Sequence, residues 1–91
     1  MNIRSTVVVR GRVQGVAFRH HTSRMAARHG VTGWVMNQPD GSVKACFEGE
    51  ESAVRAMVEW CRRGPDSAQV DEFDEQPGEF TGEFAGFGIR Y

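Results

Sequence analysis

Nowhere does this chain run apolar for the ~20 residues a membrane-crossing helix needs. Its start, MNIRSTVVVRGRV, interrupts a short apolar stretch with arginines and so lacks the hydrophobic core of a secretory leader. The two cysteines, Cys46 and Cys61, form no CxxC pair. Each occupies a position where an apolar residue suits the local pattern, so both read as reduced, buried thiols. None of His20, His21 and His29 has ligand spacing with a cysteine or an acid, so no metal site is expected. The glycine-rich phosphate loops GxGxxG and GxxxxGK[ST] are also missing. These absences leave a cytoplasmic protein without membrane, disulfide or nucleotide-fold signatures. Its 91 residues allow one modest core and no second domain, so 1–91 reads as a single domain.

A net charge of −1 conceals a strong asymmetry. Residues 1–45 hold six arginines and one lysine against the single acid Asp40, a formal +6. Residues 46–91 hold four arginines against eleven acids, a formal −7. In the plainest reading the halves attract one another and the charges are solvated. Alternatively, a positive field lies over the N-terminal half and draws in small anions.

Five strands and two helices are legible. Residues 5–13, STVVVRGRV, predict a central strand from three successive valines. Residues 20–29 predict a helix, with Thr22, Met25, Ala26 and His29 on one buried stripe and Gly30 as its stop. Residues 32–48 predict a hairpin around Pro39-Asp40-Gly41, where proline sets φ, aspartate caps the turn and glycine takes a positive φ. Residues 51–62 predict a second helix with Val54, Met57, Val58 and Cys61 facing inward. An acid-rich strand follows from about Ala68 to Asp74, suited to a sheet edge, and residues 86–91 close the chain as a strand. The order matches the β-α-β-β-α-β ferredoxin-like sandwich, an α+β fold with an antiparallel sheet and two helices on one face. Trp34 and Phe18 are expected in the core, His20 and His21 outside it.

The junction of the first strand and first helix reads Gly11-Arg12-Val13-Gln14-Gly15-Val16-Ala17-Phe18-Arg19. Gly11 and Gly15 permit backbone angles closed to other residues. Successive amide N–H groups can then turn inward and cradle an anion, and the helix start adds partial positive charge at the same place. Arg19 can present a planar fork of donors matched to phosphate oxygens. Taken alone, the stretch could equally be a tight β-to-α turn. An arginine at a helix start is unfavourable for the dipole, however, and that cost is easier to understand with an anion present.

Together with the next segment the pattern becomes specific. GRVQGVAFR, then GWVMNQPDGSV at residues 33–43, then the closing GFGIRY resemble the acylphosphatase family's GxVQGVxFR loop, GWVxNxxDGxV hairpin and FxIRY-type ending. The likeness spans nearly the whole chain. It implies a metal- and cofactor-independent enzyme that hydrolyses small acyl phosphates to a carboxylate and inorganic phosphate. It implies that Arg19 grips the substrate phosphate and that Asn37 orients the attacking water through its side-chain amide. Amides of Gln14, Gly15, Val16, Ala17 and Phe18 would complete the phosphate site, with Ser42 at a hydroxyl-bearing position nearby. Met36 stands where the family often has arginine, and His29 where leucine is frequent.

Such chemistry needs neither a nucleophile nor a catalytic acid. The leaving group is a carboxylate whose parent acid has a pKa of roughly 4, so it departs unprotonated. Water must be placed in line with phosphorus and charge on the equatorial oxygens neutralised. Two other classes remain open. A non-hydrolytic accessory domain could keep the same phosphate loop. An RNA-binding module of this topology would need aromatics on its central strands; FAGFGIRY echoes that, but TVVVRGRV offers no partner, and no nucleic-acid ligand is expected. A monomer is the simplest expectation for the free chain.

Overall fold

Side chains alternate along β1 (Asn2–Arg12) so that Ser5, Val7 and Val9 are buried on one face, in a computed structural model that describes residues 1–91. The same face continues through Val43, Ala45 and Phe47 of β3 (Val43–Glu50) and Val35 of β2 (Thr32–Asn37). Registers set these residues opposite one another: Val7 with Ala45, Val9 with Val43, Val35 with Ala45. Helix α1 (Phe18–His29) covers that face with Phe18, Thr22 and Ala26, and α2 (Glu51–Arg63) with Val54, Met57, Val58 and Cys61. Helix α2 thus presents all four predicted inward residues. In α1 the predicted stripe is only partly kept: Thr22 and Ala26 are buried, but His29 lies in the last turn before the Gly30 cap and is exposed, and Phe18, two residues before the predicted start, joins the inward face.

The sheet order is β4-β1-β3-β2-β5, with β4 (Gln69–Gly78) and β5 (Phe87–Arg90) at the edges. Acid-rich β4 lies at an edge as its composition predicted, and valine-rich β1 lies inside. The β-α-β-β-α-β frame runs from residue 2 to residue 78, and β5 is added to it. That strand pairs parallel to β2, so the sheet is mixed where an antiparallel one was expected. The reason is the crossover: after β4 the chain passes to the opposite edge and arrives running with β2.

Residues 79–86 make this passage over the sheet face away from the helices, and a buried carboxylate holds them there. Glu48 alternates with Phe47, so it points to that face, and its side chain is 0% exposed. It accepts hydrogen bonds from the amides of Thr81 (2.9 Å) and Gly82 (3.0 Å) and from Arg4 Nε (2.6 Å). Burial alone would raise its pKa, but these donors outweigh it and hold the group below the usual carboxylate range. Trp34, expected in the core, is instead half-buried on β2 with the Arg90 guanidinium 4.6 Å from its ring centre.

Candidate active site

Between β1 and α1 the chain turns through residues 13–17, anchored at one end by Val13, which is buried. Two residues take the left-handed conformation there, Gly15 at φ 74° and Ala17 at φ 61°, ψ 26°. Ala17 is the sole non-glycine residue of the protein with positive φ. For an L-residue this costs roughly 1–2 kcal/mol, and such strain concentrates at functional loops. Gly11 has a different task from the one expected. It lies at a bulge between β1 and β4, and a Cβ there would sit 2.4 Å from the Gln69 carbonyl oxygen. Gly11 therefore serves the sheet edge and not the loop.

The amides of Gln14, Gly15, Val16 and Ala17 donate to no backbone or side-chain group of the protein. Helix α1 begins directly after them, with no side-chain cap and no acid in its first turn. Its own first N–H groups also lack intrahelical acceptors. A run of unpartnered main-chain donors therefore leads directly into a helix's positive end, and the local sequence supplies no anion to meet them.

Beside them lies a cleft of about 190 Å³, several times the ~30 Å³ that one water occupies, lined by Gly15 and Ala17 of the loop but not by Gln14 or Val16. Gly15, Ala17, Phe18 and Arg19 line it from the loop side, Asn37 from the end of β2, and Ile89 and Tyr91 from the last strand. The cleft thus unites Arg19 and Asn37. No acid is among its lining residues, and no carboxylate lies within 4.0 Å of Arg19. The exposed Tyr91 ring instead stands 4.9 Å from the guanidinium carbon, within cation–π range. The Asn37 carboxamide takes no part in any hydrogen bond within the protein, while its backbone is fixed opposite Val43. One side chain is thus positioned by a sheet, the other by a helix start, and both keep their polar groups free.

Other residues singled out from the sequence have supporting places. The Gln14 side-chain amide donates to the carbonyls of Gln38 (2.8 Å) and Ser42 (2.9 Å), tying the loop to the hairpin that carries Asn37. Val16 packs against the core and accepts a hydrogen bond from Ser67 at its carbonyl (2.9 Å). Ser42 is buried and turned inward to the hairpin: its hydroxyl donates to Asp40 Oδ1 (2.6 Å) and accepts from Gln38 Nε2 (3.2 Å), and it does not line the cleft. Asp40, bonded by Ser42 and by Arg10 (2.7 Å), is held far below the usual carboxylate range. The hairpin turn is therefore braced from within and from β1. Sequence reasoning did not give Tyr91, Ile89 or the Gln14 tether a part in the site. For Tyr91 the GFGIRY ending was the available signal, but only the placement of β5 beside β2 makes it a neighbour of Arg19.

The acylphosphatase family profile matches residues 5–89. The chain is 55% identical over 91 residues to an acylphosphatase of Geotalea uraniireducens (strain Rf4), covering 100% of both chains. It is 53% identical over the same length to an acylphosphatase of Geobacter sulfurreducens, again with 100% of both covered. Among solved structures, the acylphosphatase of Bacillus subtilis superposes with a TM-score of 0.92 at 31% identity, over 98% of this chain and 99% of that one.

Proposed function

The chain belongs to the acylphosphatase family and hydrolyses acyl phosphates, and from this premise we propose that the work is done in the cleft between the 13–17 loop and the end of β2. One observation carries the assignment: Arg19, Asn37 and two loop residues with unpartnered amides, Gly15 and Ala17, line a single small cleft without a competing acid.

In this scheme the phosphoryl group of the substrate sits against the loop. The free amides from Gln14 to Phe18 and the Arg19 fork bind its oxygens and neutralise the charge that grows on them. The Asn37 carboxamide holds a water on the far side of phosphorus from the acyl oxygen. The water attacks, the P–O bond to the carboxylate breaks, and the carboxylate leaves with the bonding pair. An amide is no base near neutral pH, so a phosphate oxygen of the substrate takes the water's proton. Inorganic phosphate then departs. No step calls on a metal ion or a cofactor. A carboxylate's low basicity makes this economy sufficient, because the leaving group needs no acid.

A non-hydrolytic accessory domain would keep the phosphate loop but have no use for an uncommitted carboxamide at position 37. The RNA-binding reading loses its support, since Phe47 of central β3 faces the core and β1 has no aromatic residue. No helix is long and apolar enough to cross a membrane. Buried, unpaired Cys46 and Cys61 support a reducing compartment, the cytoplasm. The large apolar residues left exposed, Met1, Phe80 and Tyr91, are few, which supports a monomer.

The test is hydrolysis of benzoyl phosphate in the presence of a strong chelator. Turnover should persist, alkyl phosphate monoesters should stay intact, and inorganic phosphate should compete with substrate. Complete dependence on added metal would overturn the scheme.

A further inference from the structure

A larger cleft, of about 510 Å³, opens between the two helices and shares no lining residue with the catalytic one. Helix α1 contributes His21, Arg24 and Arg28 to it, and the end of α2 contributes Arg63. Spacings of three and four residues set the α1 groups along one side of that helix. None of the three arginines has a carboxylate within 4.0 Å. Half-buried Arg10 and exposed Arg55 and Arg62 each have such a partner, while exposed Arg12 and Arg90 do not. Asp66 is the single acid in the lining.

Complementing helix dipoles explains part of this. Arg28 and Arg63 lie in the last turns of α1 and α2, where cations are favoured. Arg24 lies mid-helix, and its approach to Arg28 is a like-charge contact four residues apart, which is unfavourable in a bare helix. Dipoles do not explain the aromatic wall either. Half-buried Trp60 lines the cleft, with its ring centre 5.5 Å from that of Phe18, and Met25 lies beside the same space. Unpaired guanidinium forks and a supported indole in one cavity fit a ligand that is anionic at one end and flat and apolar at the other.

We propose that this cleft is a second binding site, for a nucleoside polyphosphate, with the phosphate chain on Arg24, Arg28 and Arg63 and the base against Trp60. It is independent of the hydrolytic site. The phosphate forks are solvent-exposed, so binding weakens as ionic strength rises.

The experiment is calorimetric titration with magnesium-free ATP, tripolyphosphate and adenosine. It is run on the unaltered protein and on Arg19→Gln, whose catalytic cleft has lost its phosphate fork. ATP should bind Arg19→Gln as it binds the unaltered protein at this site, and should shift the Trp60 indole N–H resonance. Tripolyphosphate should bind about tenfold more weakly, having no base to stack, and adenosine should not bind measurably. Replacing Arg24, Arg28 and Arg63 together by glutamine should weaken ATP about 1000-fold, at roughly tenfold for each of the three charge-assisted contacts. That variant should still hydrolyse benzoyl phosphate at the unaltered rate, which also shows that it folds. ATP binding that disappears in Arg19→Gln, or that survives loss of the three arginines, would overturn the proposal. Equal affinity for ATP and tripolyphosphate would overturn the nucleoside assignment.

Discussion

Arg19 sits where an arginine is electrostatically out of place, at the positive end of a helix that has no acid in its first turn. The surrounding backbone shares this character, since the amides of Gln14 to Ala17 have no acceptor within the protein. Both features are costs in the empty site and gains with phosphate bound. Replacing Arg19 by glutamine should therefore lower kcat/KM on the order of 10²–10³-fold, as loss of one preorganised donor to a transition state does. Asn37→Ala should cause a comparable loss that falls mainly on kcat, because a water-orienting group contributes little to holding the substrate. Circular dichroism should show both variants folded, their side chains being free of structural hydrogen bonds. Near-normal turnover in either would remove it from the scheme. Gly15→Ala tests the loop itself. A Cβ there meets open space, so the whole cost is the left-handed backbone, about 1 kcal/mol in denaturant unfolding.

Among the elements, the crossover from β4 to β5 decides the most. It brings the last strand beside β2 and so sets Ile89 and Tyr91 into the cleft. Glu48 secures it by accepting the amides of Thr81 and Gly82 and the Arg4 fork with a fully buried carboxylate. Glu48→Ala would leave these donors without an acceptor, and partly exposed Arg4 would recover some hydration. A loss of about 2–4 kcal/mol is expected by urea titration near neutral pH. The pH dependence has a definite sign. The folded pKa of Glu48 lies below its unfolded value of about 4.3, so its contribution is complete above that value and is lost as pH falls through the folded pKa. Stability should thus decline below about pH 4, and the unaltered and Glu48→Gln proteins should converge there. A constant difference between them from pH 7 to pH 3 would show that ionisation of Glu48 contributes nothing.

At the scale of the molecule, the opposed charges of the two chain halves are brought into contact where Arg4 of β1 meets both Glu48 and Glu83. A positive field over the whole N-terminal half is therefore broken up, and of the cations left unpaired Arg19 lines the catalytic cleft and Arg24, Arg28 and Arg63 line the second one. The Cα radius of gyration is 11.8 Å, close to the roughly 12 Å expected of a compact chain of this length. Small-angle scattering should return a value near this, independent of concentration, and a clearly larger one would mean association. Much of this molecule was legible before its structure. The valine run of β1, the four-residue stripe of α2 and the Pro39-Asp40-Gly41 turn are short-range patterns, and strand propensity, helical period and turn chemistry act on neighbours in the chain. The two motifs around Arg19 and Asn37 likewise pointed to phosphate chemistry as a linear text. Sequence could not say that the arginine and the carboxamide face one cleft, because that depends on the β1–β3 and β2–β3 registers and on the Gln14 tether between loop and hairpin. Nor could it give Glu48 its place. A carboxylate in a strand is ordinarily solvated, and this one is buried because a segment more than thirty residues away folds over it and supplies the donors. Local periodicity determined the elements; the adjacency of groups distant in the chain was decided by strand pairing and burial, which exist only once the sheet has formed.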